Sequence, residues 1–177
     1  SIRDLGINQA IIKYSTQYRT ENNSEKLKNI VIAGTSFNVI LGIFFTLASF
    51  LLSGVMADIL DRPTIVNLIQ IASVMILADG LTKTVQSVFI GFEKMALHSL
   101  THVFQSTLKT LLMIFLVVIS LGVYGAILGQ IIAYCAAALV SLALLYFAII
   151  IKLRKKEYHF QFFSTIKTML TFGLPLS

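Results

Sequence analysis

The sequence predicts an all-α, polytopic transmembrane helix bundle, and three observations carry that expectation. Apolar residues gather into four blocks, about Asn29–Gly54, Thr64–Gly91, Leu97–Leu121 and Gly122–Ile151. Each is long enough to cross a hydrocarbon layer of ~30 Å, which takes roughly 20 helical residues. The 177 residues are 56% hydrophobic and only 12% charged, whereas about one quarter of a soluble domain is charged. The charges that do occur collect at alternate ends of the blocks, as they would if spans separated two aqueous faces.

In chain order, "SIRDLGINQAIIKY" reads as the end of a span already under way (residues 1–15). A polar loop follows at 16–28, with Arg19, Lys26 and Lys28, and with Lys13 just before it. The four apolar blocks then fill residues 29–151. Between the first two blocks, "VMADILDRP" carries Asp58, Asp61 and Arg62. The next loop, 92–97, has Glu93 and Lys94, and the turn at Leu121–Gly122 is uncharged. A basic linker at 152–165 leads to the start of a last helix at 166–177; Lys152, Arg154, Lys155, Lys156 and Lys167 fall here. With no starting Met, and with "TMLTFGLPLS" reading as a span that continues, the sequence is expected to be a fragment cut within helices at both ends. Pro63 suits a helix start, where its missing N–H needs no partner. Pro175 is expected to bend the last helix.

Alternation of the loops places ten Lys and Arg residues on one side and Arg62 alone on the other. Basic loops stay in the cytoplasm, so loops 16–28, 92–97 and 152–165 are expected there, in a multi-pass protein of the cytoplasmic membrane. The isoelectric point of about 9.6 could also point to nucleic acid, but topogenic charge already explains the basic loops and no recognition motif accompanies them. No nucleic-acid partner is expected. Attraction to anionic membrane lipids follows from the same charges.

Two spans carry polar faces. Successive helical residues are 100° apart, so i, i+4 and i+7 share a face. Asp79, Lys83 and Gln86 fall on one face of the second block, with Thr82 and Ser87 flanking it. His98, His102, Gln105 and Lys109 fall on one face of the third. Lys109 lies about 18 Å along the axis from Leu97, deep for a loop residue, although its stem could snorkel towards the surface. Charges inside a span usually face a bundle interior or a water-filled cavity. Asp79 can neutralise Lys83 one turn away and is the nearest acid for Lys109. Two lysines on one aspartate leave positive charge in surplus, which suits an anionic substrate. A structural pair joining two helices is the other reading of Asp79 and Lys83.

Rows of small residues mark the remaining spans: Gly34, Asn38, Gly42 and Thr46 in the first, and Gly125, Gly129, Ala133, Ala137 and Ser141 in the fourth. Such rows let helix backbones approach closely, as a static seam or a sliding one. Cys135 reads as a small packing residue.

No enzyme site is evident. No serine has a histidine and an oriented acid beside it, and there is no G-x-x-x-x-G-K-[ST] phosphate loop. His98 and His102 have ligand spacing but lack a third ligand nearby, so neither a metal nor a cofactor is expected. Transport, or a purely structural membrane role, remains.

Several stretches resemble a known family. "RDLGINQAIIKYSTQY" followed by "SEKLKNIV" resembles the second-helix exit and loop of polysaccharide-repeat flippases. "VQSVFIGFEKMALHSLTHV" resembles their turn between helices four and five, "LGVYGAILGQIIAY" the start of helix six, and "FGLPLS" the opening of helix seven. These are the Wzx-like flippases of the multidrug/oligosaccharidyl-lipid/polysaccharide exporter superfamily. The resemblance implies a two-lobe bundle of 12–14 helices, of which this chain supplies part of the N-terminal lobe, from the end of helix two through helices three to six to the start of helix seven. It implies alternating-access transfer of a polyprenyl-pyrophosphate oligosaccharide across the membrane, with the second lobe as partner. Basic residues in spans often line the cavity of this family, and Arg3, Lys83 and Lys109 are of that type. Asp79 would hold Lys83, and Gln86 and Gln105 would hydrogen-bond sugar hydroxyls. An ion-coupled multidrug exporter of the same superfamily is the nearest rival and would want buried acids; a non-transporting membrane scaffold is the rival of another class.

Overall fold

The computed structural model describes residues 6–61, 65–150 and 162–173. Every regular element among them is a helix: α1 (Ile7–Thr20), α2 (Ser24–Leu51), α3 (Ser53–Ile59), α4 (Val66–Gly91), α5 (Met95–Leu116), α6 (Gly122–Leu145) and α7 (Phe162–Gly173). Wider π turns extend α5 through Val117–Leu121 and α6 through Tyr146–Ile150. Four helical stretches are long and apolar enough to span a membrane: Ser24–Leu51, Val66–Gly91, Met95–Ile119 and Gly122–Ile149. Arg3, Pro63, Pro175 and most of the basic linker lie outside the described residues.

The polar loop expected at 16–28 is mostly helix, because stop and start signals are fused in "ENNSEK". Asn22 takes a left-handed conformation, φ 54°. Its N–H bonds the Arg19 carbonyl at 3.1 Å and the Asn23 N–H bonds that of Tyr18 at 2.9 Å. These two bonds satisfy carbonyls that a helix end leaves open. The Asn23 side chain then accepts from the Lys26 N–H at 3.1 Å and caps α2. The "VMADILDRP" segment likewise begins inside α3, a short helix that its mixed polarity did not announce.

α4 closes as α1 does. Glu93 is left-handed at φ 55°, its N–H reaches the Ile90 carbonyl at 2.8 Å, and the Lys94 N–H reaches Phe89 at 2.8 Å. The turn is tied on both sides. Glu93 pairs with Arg19 at the end of α1, and Lys94 Nζ donates to the Ala148 carbonyl at 2.7 Å, beyond α6. A cation at the C-terminal end of a helix complements its dipole. Three helix ends thus meet at the basic end of the bundle.

The core lies at that same end. Ile7 and Ile11 of α1, Ile30 and Val31 of α2, Val85, Val88 and Phe89 of α4, Leu145 of α6 and Ile149 of its extension, and Met169 of α7 form one buried cluster. The outer faces are also apolar. Ile40, Phe44, Leu47 and Leu51 share the exposed face of α2, and Leu100, Phe104, Leu111 and Phe115 that of α5. Such belts would be untenable in water and fit a lipid surround.

The small-residue rows are seams. On α2, Gly34 lies against Ile11 of α1 and Gly42 against Leu77 of α4. Asn38 donates to Asn8 of α1 at 3.4 Å, and Thr46 donates to the Ser73 carbonyl of α4 at 3.2 Å. One row therefore serves two neighbours in turn. On α6, a Cβ at Gly129 would lie 2.9 Å from the backbone carbonyl of Leu112 and the nitrogen of Met113, so the α5 and α6 backbones touch there.

Candidate functional site

α6 packs on both α4 and α5, while α4 and α5 contact each other far less. The space left between them is a cavity of about 260 Å³. α4 lines it with Asp79, Lys83 and Gln86, and α5 with His102, Gln105, Ser106 and Lys109. Tyr134 of α6 completes the wall. Two helix faces that shared only a periodicity in the sequence are therefore opposite walls of one space. Five of the six candidate residues line it together; the sixth, Arg3, is outside the described residues.

α4 is the least apolar of the four spans, with a mean hydropathy of 1.4, because it carries this stripe. Lys83 Nζ sits 2.8 Å from Asp79 Oδ2 one turn earlier. The carboxylate side chain is 17% exposed and the lysine 49%, so the acid is drawn inwards and the ammonium opens to the cavity. Thr82 and Ser87, which flank the stripe, play no part in it. Their hydroxyls donate to the Ala78 and Lys83 carbonyls of the same helix, each at 2.9 Å, and both residues are buried.

Lys109 Nζ lies 5.9 Å from the centroid of the Tyr134 ring. Among the described residues no carboxylate is within salt-bridge range of it. Among the described residues, the cavity lining thus holds one carboxylate and two ammonium groups. The Gln86 side-chain nitrogen is buried with no hydrogen-bond partner among the described residues. An unmet buried donor is costly, so a turn of the side chain that brings this amide to a partner in the cavity would be favoured. His98 and His102 stack at 6.4 Å between ring centroids, at 21°. Among the described residues no group of three or more His, Cys, Asp and Glu is placed to hold a metal.

Tyr134 and Ser106 are the wall residues that sequence reasoning missed. Tyr134 is a polar-tipped ring in the middle of a run of small residues, one turn after Gln130. That is the available signal, set against a small-residue row on the same helix that points to packing.

The polysaccharide biosynthesis protein family matches residues 1–177, the whole length. The chain belongs to the polysaccharide biosynthesis protein family. Searches of curated proteins and of solved structures give no match. Family membership and the four apolar helices make this a multi-pass membrane protein with a general transport role in polysaccharide biosynthesis.

Proposed function

We propose that this chain forms part of a flippase that moves a lipid-linked oligosaccharide, carried on a polyprenyl pyrophosphate, across the cytoplasmic membrane by alternating access. The surplus of ammonium groups over carboxylates in the α4–α5–α6 cavity supports this most strongly. A pyrophosphate leaving water needs cations already in place, since its charge is costly in a low-dielectric space. Lys83 and Lys109 supply them, and Asp79 holds Lys83 in position. Gln86 and Gln105, both on the cavity wall, hydrogen-bond sugar hydroxyls. No chemical step is assigned: the protein binds and releases its cargo without altering it. The basic loops face the cytoplasm, and a second lobe of the same chain closes the far side of the path.

Translocation by the full-length protein in proteoliposomes tests the proposal. Protected transfer of a polyprenyl-pyrophosphate oligosaccharide to the opposite leaflet is expected. Export of cationic drugs against an ion gradient, with no transfer of the lipid-linked sugar, would replace it with the ion-coupled exporter, in which Asp79 would bind the coupling ion. Failure to move either cargo would favour the scaffold.

A further inference from the structure

A second cavity, of about 400 Å³, lies between α1 and α7 and shares no lining residue with the first. Tyr14 of α1 and Lys167, Thr168, Thr171 and Phe172 of α7 line it. Beside it, Lys13 Nζ stands 3.6 Å from the centroid of the Phe172 ring and 5.2 Å from that of Tyr14. The two rings pack edge to face at 5.8 Å. A cation held over aromatic faces keeps its outward N–H groups for another partner.

Depth identifies that partner. Lys13 precedes Thr20, the end of α1, by about 10 Å along the axis, and Lys167 follows Phe162, the start of α7, by about 8 Å. Both lie near the basic end of the bundle and not at mid-span. Tyrosine and lysine at this level are the groups that meet lipid headgroups, and basic pockets between helices take anionic ones. The Thr171 hydroxyl donates to the Lys167 carbonyl at 2.8 Å. Thr171 lines the cavity one turn deeper than Lys167, at the level of a lipid's glycerol backbone.

We propose that the α1–α7 cavity binds an anionic phospholipid of the surrounding bilayer, its phosphate held between Lys13 and Lys167 and its glycerol backbone against Thr171 and Phe172, deeper in the membrane. The site needs the chain to lie in a membrane but does not depend on the cargo assigned to the other cavity. A phosphate on a lipid anchor is also what a polyprenyl-linked cargo carries, so the test separates the two sources.

Native mass spectrometry of the full-length protein, titrated in turn with phosphatidylglycerol, phosphatidylcholine and a polyprenyl pyrophosphate, reads the site directly. Phosphatidylglycerol is expected to bind more tightly than phosphatidylcholine. Lys13→Gln/Lys167→Gln is expected to weaken phosphatidylglycerol roughly 30-fold, with Lys13→Arg/Lys167→Arg retaining it. Lys26→Gln/Lys28→Gln removes the same charge from the neighbouring turn and is expected to cost about 3-fold or less. Lys167→Gln alone, at an exposed position, keeps the test open if the double variant misfolds, with a loss of about 5-fold expected. Unchanged phosphatidylglycerol affinity in the Lys→Gln variants, or an equal loss in Lys26→Gln/Lys28→Gln, overturns the proposal. So does a loss confined to polyprenyl pyrophosphate, which would assign the cavity to the cargo.

Discussion

Lys109 Nζ stands 5.9 Å from the Tyr134 ring centroid, so the deepest cation of α5 is turned towards α6 and the cavity. A snorkelling lysine would instead lie along the lipid face, which α5 fills with Leu100, Phe104, Leu111 and Phe115. The contact is long and partly exposed, which puts it at the weak end of cation–π pairs, about 0.5 kcal/mol. Tyr134→Leu should therefore barely move the thermal midpoint in detergent. It should weaken cargo binding by about 2-fold or more, since it releases Lys109 from its place. A large stability loss with unchanged binding would make Tyr134 a packing residue.

Asp79→Asn removes the carboxylate that Lys83 meets at 2.8 Å. The cavity then carries two cations and no acid from this pair. Anionic cargo should bind about 2–5-fold more tightly, with a steeper dependence on salt, because partly exposed ion pairs are worth about 1 kcal/mol at most and are screened. Turnover should fall as release slows. Binding isotherms at two ionic strengths check both signs.

Gly129 has no room for a side chain. Its added Cβ would meet the backbone of Leu112 and Met113, and backbone cannot swing aside as a side-chain tip can. Gly129→Leu should separate α5 from α6 and cost about 1–3 kcal/mol, the range for overpacking. Because α6 braces both walls of the cavity, binding should fall with stability. Thermal unfolding in detergent, alongside cargo titration, reads the two together.

Glu93 combines a strained backbone with an exposed ion pair. Its φ of 55° costs a non-glycine residue about 1–2 kcal/mol. Its pairing with Arg19, exposed as both groups are, returns about 0–1 kcal/mol. Glu93→Gly should therefore be neutral or slightly stabilising by thermal unfolding, and Glu93→Gln destabilising. Lys94→Gln should cost more than Arg19→Gln, because it frees the Ala148 carbonyl at the end of α6.

Much of this was legible in the sequence, for a physical reason. Helical periodicity fixes which side chains share a face, so Asp79, Lys83 and Gln86, and His102, Gln105 and Lys109, could be grouped from spacing alone. Membrane-length apolar runs likewise fixed the four spans. Periodicity within one helix does not reveal which neighbour closes its face. Tyr134 belongs to α6, where Ala133 and Ala137 pack inwards while the ring one position on turns to the cavity. Helix ends were blurred because caps act through single backbone bonds: the Asn22–Asn23 pair ends one helix and starts the next within a stretch read as loop.

The proposed role of Lys83 and Lys109, seating an anionic, lipid-linked head group in the α4–α5–α6 cavity, is open to direct measurement. The most direct measurement is binding of a polyprenyl-pyrophosphate oligosaccharide to the full-length protein in lipid nanodiscs, for wild type beside Lys83→Gln/Lys109→Gln. Affinity should be lower by about 10-fold or more in the double variant, as loss of charge-assisted hydrogen bonds requires. Equal affinity in the two proteins, with the variant folded, would contradict it.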